Sequence, residues 1–155
     1  MEKLENVLVA KLTKSGRKVS TAESCTGGLV AQRITSVAGS SACFDLGVVS
    51  YSNEQKHKIL GVKNETLEKF GAVSKETALE MSEGIKRLSG ADFGIGITGL
   101  AGPGGGSDKK PVGLVYISIC TESEHRAFEY RFSGDRCDVR NKTADEALRL
   151  VIERL

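Results

Sequence analysis

Three short stretches carry side chains suited to acyl transfer. In Glu23-Ser-Cys-Thr-Gly-Gly28 a serine stands between an apolar run and two glycines. There Ser24 projects beside the free N–H groups of a helix start, which can hold an oxyanion if the serine attacks a carbonyl. A second reading makes Ser24 and Thr26 simple helix caps. Cys25 occupies the same helix start, where thiolates are stabilised, and is a rival nucleophile. The stretch is not a GxSxG elbow and no Asp-His pair lies nearby, so a serine-histidine triad is not expected.

In Tyr51-Ser-Asn-Glu-Gln-Lys56 a strand ends on tyrosine and a helix follows. Lys56 then falls in the first helical turn, where the positive pole disfavours an ammonium and favours the neutral amine of a general base. Alternatively Lys56 faces solvent and pairs with Glu54 or Asp45. The third stretch runs from Gly96 to Ser107 and places Thr98, Gly99 and Gly102 beyond the carboxyl end of a strand, where open α/β sheets bind ligands. It matches neither GxxxxGK[ST] nor GxGxxG in a βαβ setting, so neither nucleotide fingerprint applies. Arg136 and Arg140 lie one helical turn apart and suit a phosphate, or else form a solvated face with Asp135 and Asp138.

These groups need elements to position them. A helix over Lys3–Lys14 carries Leu4, Val7, Leu8, Lys11 and Leu12 on one stripe. A short strand follows over Lys18–Ala22, then a helix from Thr26 to about Ser36. Leu46–Tyr51 reads as a strand, and Ser52 or Asn53 caps a helix to Leu60. Asn64 caps a helix over Glu65–Phe70, and Ser74 opens a longer one to Leu88 with Ala78, Met81, Ile85 and Leu88 facing inward. Phe93–Thr98 is a nearly continuous apolar strand, the pattern of a central strand covered on both faces. Val112–Thr121 and His125–Phe132 form a hairpin across Glu122-Ser-Glu124. Asp135 or Asp138 opens a final helix through Leu155. This order predicts an α/β fold: one domain over residues 1–155, an α/β/α sandwich on a mixed sheet.

Composition narrows the partners. The chain has 155 residues, 39% apolar and 27% charged, ordinary values for a globular domain. A net charge of +2 without a Lys/Arg cluster gives no reason to expect nucleic acid. No apolar run approaches the ~20 residues of a membrane span. The amino terminus does not read as an export signal, so cytoplasm is the expected location. Cys25, Cys43, Cys120 and Cys137 lack CxxC spacing and read as reduced, buried thiols. With no ligand-spaced His57 or His125, neither a metal nor a cofactor is expected.

The stretches TAESCTGG, GSSACFDLGVVSYSNEQKHKILGV (39–62), GAVS (71–74), GITGLAGPGGGSDKKPVG (96–113) and FSGDR (132–136) occur in order over almost the whole chain. Together they closely resemble the carboxyl-terminal domain of the competence/damage-inducible CinA family. The resemblance implies an α/β/α sandwich that hydrolyses the carboxamide of nicotinamide mononucleotide to nicotinic acid mononucleotide and ammonia. It implies catalysis by Ser24, Tyr51 and Lys56. Cys25, Thr26, Gly27, Gly28, Thr98, Gly99, Gly102 and Arg140 would bind the substrate, Arg140 at the ribose phosphate. It also implies a homo-oligomer, for which the Val112–Phe132 hairpin offers apolar surface. Larger members carry an amino-terminal domain that has no counterpart here. The alternative function is a pyridine-nucleotide-binding or assembly domain without catalysis.

Overall fold

The computed structural model describes residues 1–155. Strands β1 (Val19–Glu23), β2 (Phe44–Val49), β3 (Phe93–Gly99), β4 (Leu114–Cys120) and β5 (His125–Arg131) form one sheet in the order β2-β1-β3-β4-β5. β1 runs parallel to β2 and β3, while β3–β4 and β4–β5 are antiparallel, so the sheet is mixed. Helices α1 (Leu4–Ser15), α2 (Leu29–Thr35) and α6 (Arg136–Ile152) bury their apolar residues on one face with Ile95, Ile97 and Ile117. Helices α3 (Asn53–Leu60), α4 (Asn64–Phe70) and α5 (Lys75–Ser89) cover the other around Ala22, Leu60, Met81 and Ile85. This is the α/β/α sandwich with a mixed sheet read from the sequence.

β3 is the central strand, and its two faces are covered differently. Phe93, Ile95 and Ile97 pack into the larger core, whereas Gly94 and Gly96 alternate onto the α5 face. A Cβ at Gly96 would lie 2.5 Å from the Ala78 carbonyl oxygen and 2.6 Å from the Ser82 nitrogen. The glycines therefore let the α5 backbone sit directly on the sheet. Ser82 of α5 and Ser118 of β4 share a buried hydroxyl contact of 2.7 Å at that seam.

Several local expectations change. α2 starts at Leu29, not Thr26, because Gly27 and Gly28 take positive φ (59° and 97°) and turn the chain first. The cap is supplied by Glu23, whose carboxylate accepts the N–H groups of Val30 (2.9 Å) and Ala31 (3.1 Å). A buried carboxylate suits the positive pole of a helix better than a threonine hydroxyl does. Ser52 and Ser74 do cap α3 and α5 through the N–H of Gln55 and Thr77. Asn64 instead lies inside α4, preceded by Lys63 without a side-chain cap.

Leu88 is half exposed, because α5 ends at Ser89 and its last turn passes the edge of the core. In α1, Val9 is buried with Leu8 and Leu12, and Glu5 is held there by an ion pair to Arg33 at 2.8 Å. Cys137 is exposed on α6, unlike the other three cysteines. On β5 the exposed positions are His125, Arg126, Glu129 and Arg131, so the exposed large apolar residue of the hairpin region is Val112. β2 ends at Val49, two residues early, which leaves the Ser50 and Tyr51 carbonyls outside the sheet.

Candidate active site

The crevice between the carboxyl ends of β1 and β3 gathers the three stretches. Chain leaving β1 turns towards β2, and chain leaving β3 turns towards β4, so the two exits part at this point. Such a topological switch point is where open sheets accept ligands. A cleft of about 260 Å³ opens there, lined by Ser24, Cys25, Tyr51, Lys56, Thr98, Gly99, Gly102 and Arg136 among others.

Its floor is a serine and a lysine. The Lys56 side chain is buried to 1% exposure and its Nζ lies 2.9 Å from Ser24 Oγ. The amine also donates to the carbonyl oxygens of Ser50 (3.0 Å) and Tyr51 (3.3 Å). No carboxylate pairs with Lys56, and Asp45 pairs with Lys18 instead. Burial holds the Lys56 amine below the ordinary lysine range. Three oxygens around Nζ suit both protonation states. An ammonium donates to all three, and a neutral amine donates to the two carbonyls while its lone pair accepts the Ser24 hydroxyl. A proton can thus pass from Oγ to Nζ without rearranging heavy atoms.

Ser24 is fixed from both sides. Its N–H extends the ladder to the Ile97 carbonyl at 3.1 Å, and its carbonyl accepts the Gly27 N–H at 3.0 Å. The N–H groups of Cys25 and Thr26 donate to no backbone oxygen, and the Cys25 N–H lies against its own thiol. The Val30 and Ala31 N–H groups at the start of α2 belong to Glu23. Cys25 is a poor rival nucleophile: burial, reinforced by the Glu23 carboxylate, pushes its thiol up to about 12. At neutral pH it is a protonated core residue at the cleft wall.

The other expected residues are placed as follows. Tyr51 lines the cleft mouth, 63% exposed, and its phenol oxygen accepts from Arg136 Nη2 at 3.3 Å; the phenol reaches neither Ser24 nor Lys56, which meets Tyr51 only at its backbone carbonyl. Thr98 donates to the Ala72 carbonyl at 2.7 Å, tying the β3 exit to the α4–α5 junction. Gly99 and Gly102 line the wall, and Gly102 joins Pro103 through a cis peptide. Thr26, Gly27 and Gly28 stand behind the cleft, forming the turn into α2. Arg140 does not line the cleft. Its Nε and Nη2 donate to the carbonyls of Cys25 (3.2 Å) and Thr26 (2.9 Å), bracing the serine turn from α6.

Sequence reading missed two contributors and left a third, Arg136, undivided from Arg140. Glu23 was visible inside its motif, but nothing in a linear pattern shows which helix a carboxylate caps. The Ser50 carbonyl belongs to the backbone and has no side-chain signature. Arg136 was one of a pair, and only the fold separates its role from that of Arg140. No cluster of three or more His, Cys, Asp or Glu side chains is placed to hold a metal ion, and no helix is long and apolar enough to cross a membrane.

Known proteins share this arrangement of chain. A CinA-like protein of Kosmotoga olearia is 53% identical over 150 residues, which cover 97% of this chain and 36% of the relative. A CinA-like protein of Endomicrobium trichonymphae is 51% identical over 152 residues, 98% of this chain and 36% of its own. The chain thus spans about a third of the length of the curated relatives it matches. Among solved structures, the competence/damage inducible protein CihA from Agrobacterium tumefaciens superposes with a TM-score of 0.94 at 44% identity, covering 99% of this chain and 96% of that one. The competence damage-inducible protein A of Klebsiella pneumoniae gives a TM-score of 0.94 at 38% identity, over 97% and 93%. The family model of the CinA C-terminal domain matches residues 1–155, and the chain belongs to that family.

Proposed function

We propose that the chain is an amidohydrolase that releases ammonia from the carboxamide of nicotinamide mononucleotide through a Ser24–Lys56 pair. The observation that carries this reading is the buried lysine without a carboxylate, 2.9 Å from a serine hydroxyl at the bottom of a cleft. A lysine used only for structure would be expected to pair with an acid or reach water; one that serves as a base must be neutral and desolvated.

In this mechanism Ser24 Oγ attacks the amide carbon as its proton passes to Lys56 Nζ. The oxyanion is met by the backbone N–H of Cys25 at the cleft wall. Lys56 returns the proton to the departing nitrogen, ammonia leaves, and an ester on Ser24 remains. Water then attacks that ester with Lys56 as base, releasing nicotinic acid mononucleotide and restoring the serine. Tyr51 orients the substrate at the mouth, and Thr98 holds the opposite wall in register. A metal or cofactor takes no part in this scheme, and a second copy of the chain is its expected partner.

The test is product analysis by mass spectrometry after incubation with nicotinamide mononucleotide and a chelator. The expected result is the acid product with stoichiometric ammonia. Tight binding with no ammonia release would instead support a domain that binds without catalysis.

A further inference from the structure

Arg136 has a position that neither catalysis nor packing explains. It is the first residue of α6, exposed, and lines the cleft that holds Ser24 and Lys56. Its guanidinium donates to two uncharged oxygens, the Gly102 carbonyl at 2.8 Å and the Tyr51 phenol at 3.3 Å. No carboxylate pairs with it. The adjacent acids are engaged elsewhere: Asp135 accepts the Asp138 N–H at 2.8 Å, and Asp138 accepts the Asp135 N–H at 2.9 Å. Further, no Asp or Glu lines the cleft, and Lys56 and Arg136 are its cations. Lys56 is committed to Ser24 at the floor, which leaves Arg136 as the accessible positive group at the mouth.

The surroundings give an anion somewhere to go. Arg136 and Ala101 also line a second depression of about 610 Å³, whose one acid, Asp135, accepts the Asp138 N–H as the cap of α6, so the guanidinium stands between the reacting pair and the next free space. An Arg has five N–H donors and favours bidentate contact with phosphate or carboxylate. Its present bonds to neutral oxygens are weaker than those an anion would offer. Arg140, the other arginine of the pair, has its guanidinium on the Cys25 and Thr26 carbonyls and lies outside the cleft lining.

We infer that Arg136, rather than Arg140, reads the anionic end of the substrate, a phosphate monoester remote from the amide, and so sets the preference for phosphorylated over unphosphorylated amides. This rests on the amidohydrolase reading for its kinetics, though not for its binding. Because Arg136 also joins Gly102 to Tyr51, the arriving anion meets both walls of the mouth through one side chain.

The experiment compares wild type, Arg136→Gln and Arg136→Lys on nicotinamide mononucleotide and on nicotinamide riboside, which has the same amide and no phosphate. The ratio of kcat/KM for the two substrates is expected to fall about 30-fold in Arg136→Gln, chiefly through KM, with partial recovery in Arg136→Lys. A ratio unchanged from wild type, with both substrates losing equally, would assign Arg136 a structural role and overturn the inference. So would a collapse of the ratio in Arg140→Ala while Arg136→Gln retains it. Calorimetric binding of nicotinamide mononucleotide separates the two claims. If wild type binds it without releasing ammonia and Arg136→Gln binds about 30-fold more weakly, the amidase reading fails and the role of Arg136 stands. Equal affinity in both proteins overturns the inference whatever the turnover.

Discussion

At the residue scale the site is governed by the environment of one amine. Burial disfavours the charged form of Lys56, and no carboxylate restores it. In the proposed mechanism the base must be neutral, so kcat/KM is expected to fall as pH drops through the lowered Lys56 pKa and to reach its plateau below the ordinary lysine range. Lys56→Met should reduce kcat by about 10²–10⁴-fold with KM little changed, measured by steady-state ammonia release. The same shift enters stability. Between the lowered folded value and the ordinary lysine value the unfolded chain binds more protons, so stability rises with pH across that window. Denaturant titrations at a series of pH values should show this slope in wild type and not in Lys56→Met. Cys25→Ser should retain most turnover, since the protonated thiol supplies no nucleophile.

At the element scale, the serine turn is held by what surrounds it. Glu23 caps α2 and Arg140 braces the Cys25 and Thr26 carbonyls, so both act on Ser24 through the backbone. Arg140→Ala is expected to lower kcat about tenfold to a hundredfold while leaving KM for nicotinamide mononucleotide nearly unchanged. A rise in KM alone would instead mark Arg140 as a substrate contact. Gly96→Ala should destabilise by about 1–3 kcal/mol in denaturant titration, because its Cβ would press on the α5 backbone at Ala78 and Ser82.

Periodicity and turn residues made the order of helices and strands legible, including the central position of Phe93–Thr98. The hairpin and the Ser52 and Ser74 caps were equally readable, because their signals are local. The α2 cap was not, since it comes from a strand residue six positions upstream of the helix. Nor was the end of β2, where the carbonyls that hold Lys56 begin.

At the scale of the whole molecule, the site exists because β1, β2 and β3 run parallel side by side and present their carboxyl ends together. The residue types Ser24, Lys56 and Thr98 were visible in the sequence, as was the glycine loop. Their meeting depends on the strand order β2-β1-β3, which linear spacing does not encode. The division of labour between Arg136 and Arg140 has the same origin: they lie one turn apart on α6, yet one lines the cleft and the other braces the serine turn.

The central claim is that Ser24, with its proton taken by Lys56, forms the covalent bond to substrate. The most direct measurement is rapid acid quench of the protein turning over nicotinamide mononucleotide, followed by peptide mass mapping, with Ser24→Ala run in parallel. The account predicts a nicotinic acid mononucleotide ester on the peptide bearing Ser24 and at least about a thousandfold loss of ammonia release in Ser24→Ala. A thioester on Cys25, or undiminished ammonia release from Ser24→Ala, would contradict it.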